Sequence, residues 1–206
     1  MANVSRMRGF SWKDSLAIVL ALPAADFVSG VVHWSADTWG REDWPVVGER
    51  FLRPFRVHHI APEDLCRRSF LDCNGDVAML TLPVLIATLF MPNVIGVFLV
   101  AFCAWTLPTN QIHQWAHLSK PPTIVRVLQR IGIILRAPHH EGHHASPYTA
   151  NYCIVNGWCN PLLNKIDFWR RAERTISRVT GLVPREDEVA IISAESSTPQ
   201  SRVAHA

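Results

Sequence analysis

Residues Val77 to Ile112 read VAMLTLPVLIATLFMPNVIGVFLVAFCAWTLPTNQI, 36 consecutive positions without Asp, Glu, Lys, Arg or His. One bilayer crossing takes about 20 residues, so this run is too long for a single spanning helix. Pro92-Asn93 stands near its middle and is a turn signal. The pattern predicts a helical hairpin, Val77–Met91 and Val94–Thr109, each helix roughly 16 residues long and slightly short for a full crossing. The competing reading is a buried hairpin in a soluble bundle. Soluble core helices usually keep a polar face, and these two have none. A hairpin returns the chain to the side it left. The segments around His58 and from His113 onward therefore face one compartment.

Working outward, Leu16–Val32 is a second apolar stretch, carrying one charge, Asp26, and one break, Pro23. Thr123–Leu135 differs in kind. Ile124, Val125, Val127, Leu128, Ile131 and Ile134 lie on one side, with Arg126, Gln129 and Arg130 on the other. That is the pattern of a helix lying in the membrane interface, although soluble amphipathic helices share it. The tryptophans at 12, 34, 39, 44, 105, 115, 158 and 169 fall mostly near the ends of apolar runs, as interfacial anchors do. Arg50, Arg53, Arg56, Arg67, Arg68, Arg126, Arg130, Arg170 and Arg171 lie outside those runs, on the side to which the hairpin returns. By the positive-inside rule that side is cytoplasmic. A single crossing by Leu16–Val32 then places the N-terminus outside, against the charges of Arg6, Arg8 and Lys13; a first helix broken at Pro23 and re-entering removes the conflict. The expectation is an all-α, multi-pass membrane helical bundle with a histidine-rich cap on the cytoplasmic side. Residues 1–14 form an N-terminal segment, 15–185 the membrane-embedded domain, and 186–206 a disordered Ser-, Glu- and Ala-rich tail.

Composition narrows the function. Hydrophobic residues make up 49% and charged residues 18%, and the net charge of +3 comes without a dense basic stripe, which argues against a nucleic-acid partner. The five cysteines, at 66, 73, 103, 153 and 159, include no C-x-x-C and suit neither a zinc ribbon nor a disulfide frame, so they read as packed thiols. No cleavage site follows the first apolar run, so a removed signal peptide is not expected.

The distinctive number is ten histidines, nine of them between His33 and His144. His33 belongs to a stripe, Asp26, Gly30, His33 and Asp37, whose offsets of 4, 7 and 11 share one helix face. Gly30 would admit a second helix closely, and Asp26 and Asp37 could orient imidazoles through their other ring nitrogen. His58-His59 point in different directions from one helix, and so can serve two metals, or act as one ligand and one support. His113 and His117 stand at i and i+4, close enough to clasp one ion. In His139-His140-Glu141-Gly142-His143-His144, a helix would place His140, His143 and His144 on one face. Three convergent imidazoles each need a hydrogen-bond partner or a metal, and three charged ones would repel. Nine imidazoles are too many for one zinc, which takes three or four protein ligands, and suit two ions. Imidazole serves iron, copper, zinc and nickel alike. The Glu-x-x-His pairs of carboxylate-bridged iron bundles are absent. Two rival readings use fewer of these residues. His140-Glu141-x-x-His144 also matches the H-E-x-x-H zinc protease pattern, with Glu141 as base. Paired histidines on membrane helices can also ligate haem in a carrier.

Several longer stretches resemble the lipid desaturase family. They are DFVSGVVHWSADTWG from Asp26, RPFRVHHIAPED from Arg53, Arg67–Phe70, Asn74-Gly75-Asp76, TNQIHQWAH from Thr109, HHEGHHASPYTANYCIVNGWCNP from His139 and KIDFWRR from Lys165. The resemblance implies a histidine-ligated pair of iron ions, molecular oxygen as co-substrate, and an external electron donor of the cytochrome b5 or ferredoxin type. It implies metal ligation by His33, His58, His59, His113, His117, His140, His143 and His144. His139 matches only some members and is read as a supporting residue, with Asp26, Asp37 and Asp76. Asp64 and Asp72 are read as supports or helix caps, and Arg53, Arg56 and Arg136 as contacts for a lipid phosphate. The implied substrate is a phospholipid chain: the alkyl chain of an ether lipid, giving a vinyl ether, or an acyl chain, with hydroxylation as a variant. Asn151–Val155 looks closer to the plant acyl-chain branch. Animal members carry a further hydrophobic helix before the stretch matching Leu16–Trp39.

Overall fold

The computed structural model describes residues 9–145 and 147–184, and every regular element among them is helical. The predicted tail from 186 lies outside the described residues. In chain order the elements are α1 (Trp12–Trp39), a π-helical turn (Gly48–Leu52) running into α2 (Arg53–Ile60), α3 (Pro62–Arg67), α4 (Phe70–Thr88), α5 (Asn93–Thr106), α6 (Thr109–His117), α7 (Thr123–Arg130), α8 (Ala137–Glu141), α9 (Asn160–Lys165) and α10 (Phe168–Thr180).

The apolar run folds as the expected hairpin, turning between Thr88 and Asn93 with Pro92 capping α5. Its first arm starts earlier than predicted. Ser69 and Asp72 form a capping box at the head of α4, which draws the polar turn Phe70–Asp76 into the helix. The first apolar stretch also extends further. α1 is one continuous helix of 28 residues, about 42 Å long, with Pro23 inside it. A helix broken at Pro23 is therefore corrected. Three segments are long and apolar enough to cross a membrane: Trp12–Trp39, Phe70–Thr88 and Asn93–His117.

Packing gives the same picture. In the apolar window of α4 only 17% is buried, and Met79, Leu80, Leu82, Ile86, Leu89 and Phe90 stand exposed. So large an apolar face has no place against water. Buried Ala17, Ala21 and Ala25 recur every fourth residue of α1, a small-residue stripe that allows close helix approach, and α1 packs along α5. The amphipathic segment ends at Arg130 rather than Leu135, because Gly132 takes a positive φ of 76° and Arg136 caps the carbonyls of Gln129 and Arg130. Val125 and Gln129 of α7 face the protein while Ile124, Val127 and Ile131 stay exposed.

Polar contacts gather the remaining elements at the end where α1 stops, α4 starts and α6 stops. Gln114 Nε2 of α6 donates to the carbonyls of Leu65 (2.7 Å) and Arg68 (2.9 Å). Asn110 Nδ2 donates to the Cys73 carbonyl at 2.8 Å. Residues 151–159 then fold back across α1 on the stripe read from the sequence, but as an extended loop and not the second helix expected there. A Cβ on Gly30 would stand 2.5 Å from Cys153 Sγ, so only glycine lets the loop approach this closely.

Candidate metal centre

The polar end of the bundle is built from imidazoles. α1 supplies His33, α2 His58 and His59, α6 His113 and His117, and the α8 region His140, His143 and His144. Their ligand-capable atoms fall into two groups, each with all atoms within 4.8 Å of one another. One holds His58, His113, His117, His140 and His144; the other His33, His58, His59 and His143. His58 belongs to both and marks where the groups meet.

The last group is not arranged as one helix face. α8 ends at Glu141, and His143 and His144 lie in the turn beyond it. That turn folds onto α8 through the His143 amide, which donates to the His140 carbonyl at 2.8 Å. A Cβ on Gly142 would meet Asn151 Nδ2 at 2.7 Å, so the tight turn needs the glycine that makes a longer helix unfavourable.

Distances between the rings point to a cation. His140 Nε2 lies 2.8 Å from His113 Nε2, 2.8 Å from His117 Nε2 and 3.0 Å from His144 Nε2. One imidazole nitrogen carries either one proton or one lone pair, so it cannot hydrogen-bond three neighbours. Ligands each about 2.1 Å from one ion stand about 3.0 Å apart at right angles and about 3.4 Å apart at the tetrahedral angle. Spacings of 2.8–3.0 Å lie close to the right-angle value and suit atoms that share an ion.

Tautomers agree. His33 Nδ1 meets the Tyr152 carbonyl at 3.2 Å, His143 Nδ1 meets the Ala150 carbonyl at 2.8 Å, and His58 Nδ1 meets the Phe55 carbonyl. Each ring donates its proton outward and leaves Nε2 bare toward the centre. Burial, and then the neighbouring imidazoles, hold His58 and His140 well below the ordinary imidazole pKa, and the same causes pull His144 down to about 2. Neutral imidazole is the form that binds metal.

The other predicted residues divide. Asp37 lies at the second group, its Oδ2 3.3 Å from the Nε2 atoms of His33, His59 and His143. Asp26 is corrected: it orients no imidazole. Its carboxylate accepts the amides of Val155 (3.1 Å), Asn156 (2.9 Å), Gly157 (2.9 Å) and Cys159 (3.0 Å), and so anchors the returning loop. Asp76 pairs with Arg50 at 2.6 Å, and Asp64 with Arg68 at 3.4 Å. His139 is exposed and outside both groups. Arg136 is occupied by the α7 carbonyls, and Arg53 and Arg56 lie beside Glu42. Glu141 is exposed and lies outside both groups.

Sequence reasoning missed a small recess that reaches His113. Phe51, Phe55 and Leu65 wall it, and Arg50 and Arg68 stand among its lining residues. Its residues come from four separate segments of the chain, so no single motif announced it. The carbonyls of Ala150 and Tyr152 were equally invisible, since any residue type has one.

Compared with known proteins, residues 22–187 match the lipid desaturase domain. The chain is 41% identical to the plasmanylethanolamine desaturase of Myxococcus xanthus, covering 90% of this chain and 68% of that one. It is 39% identical to plasmanylethanolamine desaturase 1 of Mus musculus, covering 86% and 72%. It is also 36% identical to the chloroplastic fatty acid desaturase 4 of Arabidopsis thaliana, covering 78% and 51%. No solved structure matches.

Proposed function

We propose that this chain, which belongs to the lipid desaturase family and is an oxidoreductase, inserts the vinyl ether double bond into the sn-1 alkyl chain of an ether phospholipid. The observation that carries the reading is the convergence of eight imidazoles into two adjoining groups at one end of three apolar helices. The groups would hold two irons, one by His113, His117, His140 and His144 and the other by His33, His59 and His143, with His58 belonging to both groups. When bound, they supply activation of molecular oxygen. The chain loses two hydrogens with their electrons, an external donor adds two electrons, and with two protons from solvent one oxygen molecule becomes two waters. The donor is a cytochrome b5 or ferredoxin-type protein.

The protein's own part is positioning. The carbonyls of Phe55, Ala150 and Tyr152 lock the ring orientations, and the burial of His33, His58, His140 and His143 keeps water from the oxidising site. In this reading the bundle crosses the bilayer more than once, with the metal end on the cytoplasmic side, where the arginines collect. Arg50 and Arg68, beside the recess at Phe51, Phe55 and Leu65, stand where the lipid phosphate would approach.

The test is lipid mass spectrometry of cells with and without the gene, before and after mild acid, together with iron analysis of detergent-purified protein. New acid-labile alkenyl lipids and about two irons per chain are expected. An acid-stable double bond would transfer the reading to an acyl chain, the alternative favoured by the plant relative; one zinc or a haem band would sink both. Glu141→Ala separates the protease reading. Exposed Glu141 is expected to be dispensable, with unchanged product and a stability change within about 0.5 kcal/mol in thermal unfolding.

A further inference from the structure

We propose that Asp37 is a direct ligand of the ion held by His33, His59 and His143, completing that site with a carboxylate. The inference rests on the metal-centre reading above and deepens it. A carboxylate that merely supports a metal-bound imidazole accepts the proton of the ring nitrogen pointing away from the metal. Asp37 does the opposite. Its Oδ2 stands 3.3 Å from Nε2 of His33, of His59 and of His143, on the metal side of all three rings. In His33 and His143 the outward nitrogen already meets a backbone carbonyl, Tyr152 and Ala150 respectively, so their supporting partners are assigned elsewhere.

Charge leads to the same place. Asp37 is buried, and among the described residues no backbone amide, hydroxyl or guanidinium donates to either of its oxygens. A buried carboxylate without such a donor calls for a cation, and the common centre of the three Nε2 atoms is where one would sit. The equal spacing of 3.3 Å is also the separation of ligands sharing one ion. His33 and Asp37 sit at i and i+4 on α1, so one helix face presents both.

The centre is then unequal, one position all-imidazole and the other mixed. A hard anionic oxygen on only one of the two favours the higher oxidation state there.

The experiment loads detergent-purified wild type, Asp37→Asn and Asp37→Glu with isotopically enriched iron. It measures iron per chain, chelator competition and the Mössbauer spectrum, with size exclusion and helicity as checks on folding. The expected result for Asp37→Asn is a fall from about two irons to about one, with affinity at the lost position down by more than about 100-fold, beyond the range of a mere supporting residue. Asp37→Glu should keep both irons and shift one of two Mössbauer components. An Asp37→Asn protein that keeps both irons, or weakens binding only within about 10- to 100-fold, overturns the assignment while leaving the functional reading intact. Should Asp37→Asn fail to fold, an unchanged spectrum in Asp37→Glu overturns it equally. Wild type that binds no iron fails the functional reading itself.

Discussion

His140→Ala is expected to abolish vinyl ether formation and to strip iron from the five-histidine group, lowering affinity there by more than about 100-fold. His140 is the hub of that group, with its Nε2 within 3.0 Å of His113, His117 and His144. Removing it opens a gap that the other rings cannot close, because α6 fixes His113 and His117 and the turn after α8 fixes His144. The adjacent His139→Ala is the control. That ring is exposed and outside both groups, so product and iron should stay at wild-type level. Acid-labile lipid product and iron per chain are the measurements. A folded His140→Ala protein that still makes product would remove the basis of the proposed reaction.

Asp26→Ala is expected to cause the largest loss of stability of any single polar substitution in the chain. Four amides, those of Val155, Asn156, Gly157 and Cys159, converge on its carboxylate, which is fully buried. Each buried amide left without an acceptor costs about 1–3 kcal/mol, and a total above about 4 kcal/mol places this change among exceptional mutations. In a chain of this size that corresponds to a fall in melting temperature on the order of 10 °C. Asp26→Asn keeps one acceptor oxygen and should lose less. Iron binding should weaken along with stability, since the same loop carries the Ala150 and Tyr152 carbonyls that fix His143 and His33. Thermal denaturation in detergent decides the matter, and an unchanged melting temperature for Asp26→Ala would refute the anchoring role.

The two aspartates of the α1 stripe show where reading a sequence stops. The offsets placed Asp26, Gly30, His33 and Asp37 on one helix face, and so they stand in the structure. Nothing in those offsets says what lies across the face. Upstream, the partner is a loop about 130 residues away in the chain, which occupies Asp26 with its amides. One turn beyond His33, the partners are imidazoles from α2 and the turn after α8, which set Asp37 against the second histidine group. The same residue type on the same stripe thus does unrelated work.

By itself the sequence determined what is local or compositional. A 36-residue run without a charge must turn once and lie in apolar surroundings, because the helix period and the cost of burying charge leave no other solution. It also determined the stock of imidazoles and that one ion could not absorb them. Only the tertiary structure decided how those imidazoles divide between two groups, that His143 and His144 leave the helix to do so, and which carbonyls hold their protons. The physical reason is range. Helix periodicity acts over a few residues, whereas His33 meets the Tyr152 carbonyl, 119 positions away, through a contact that leaves no periodic trace.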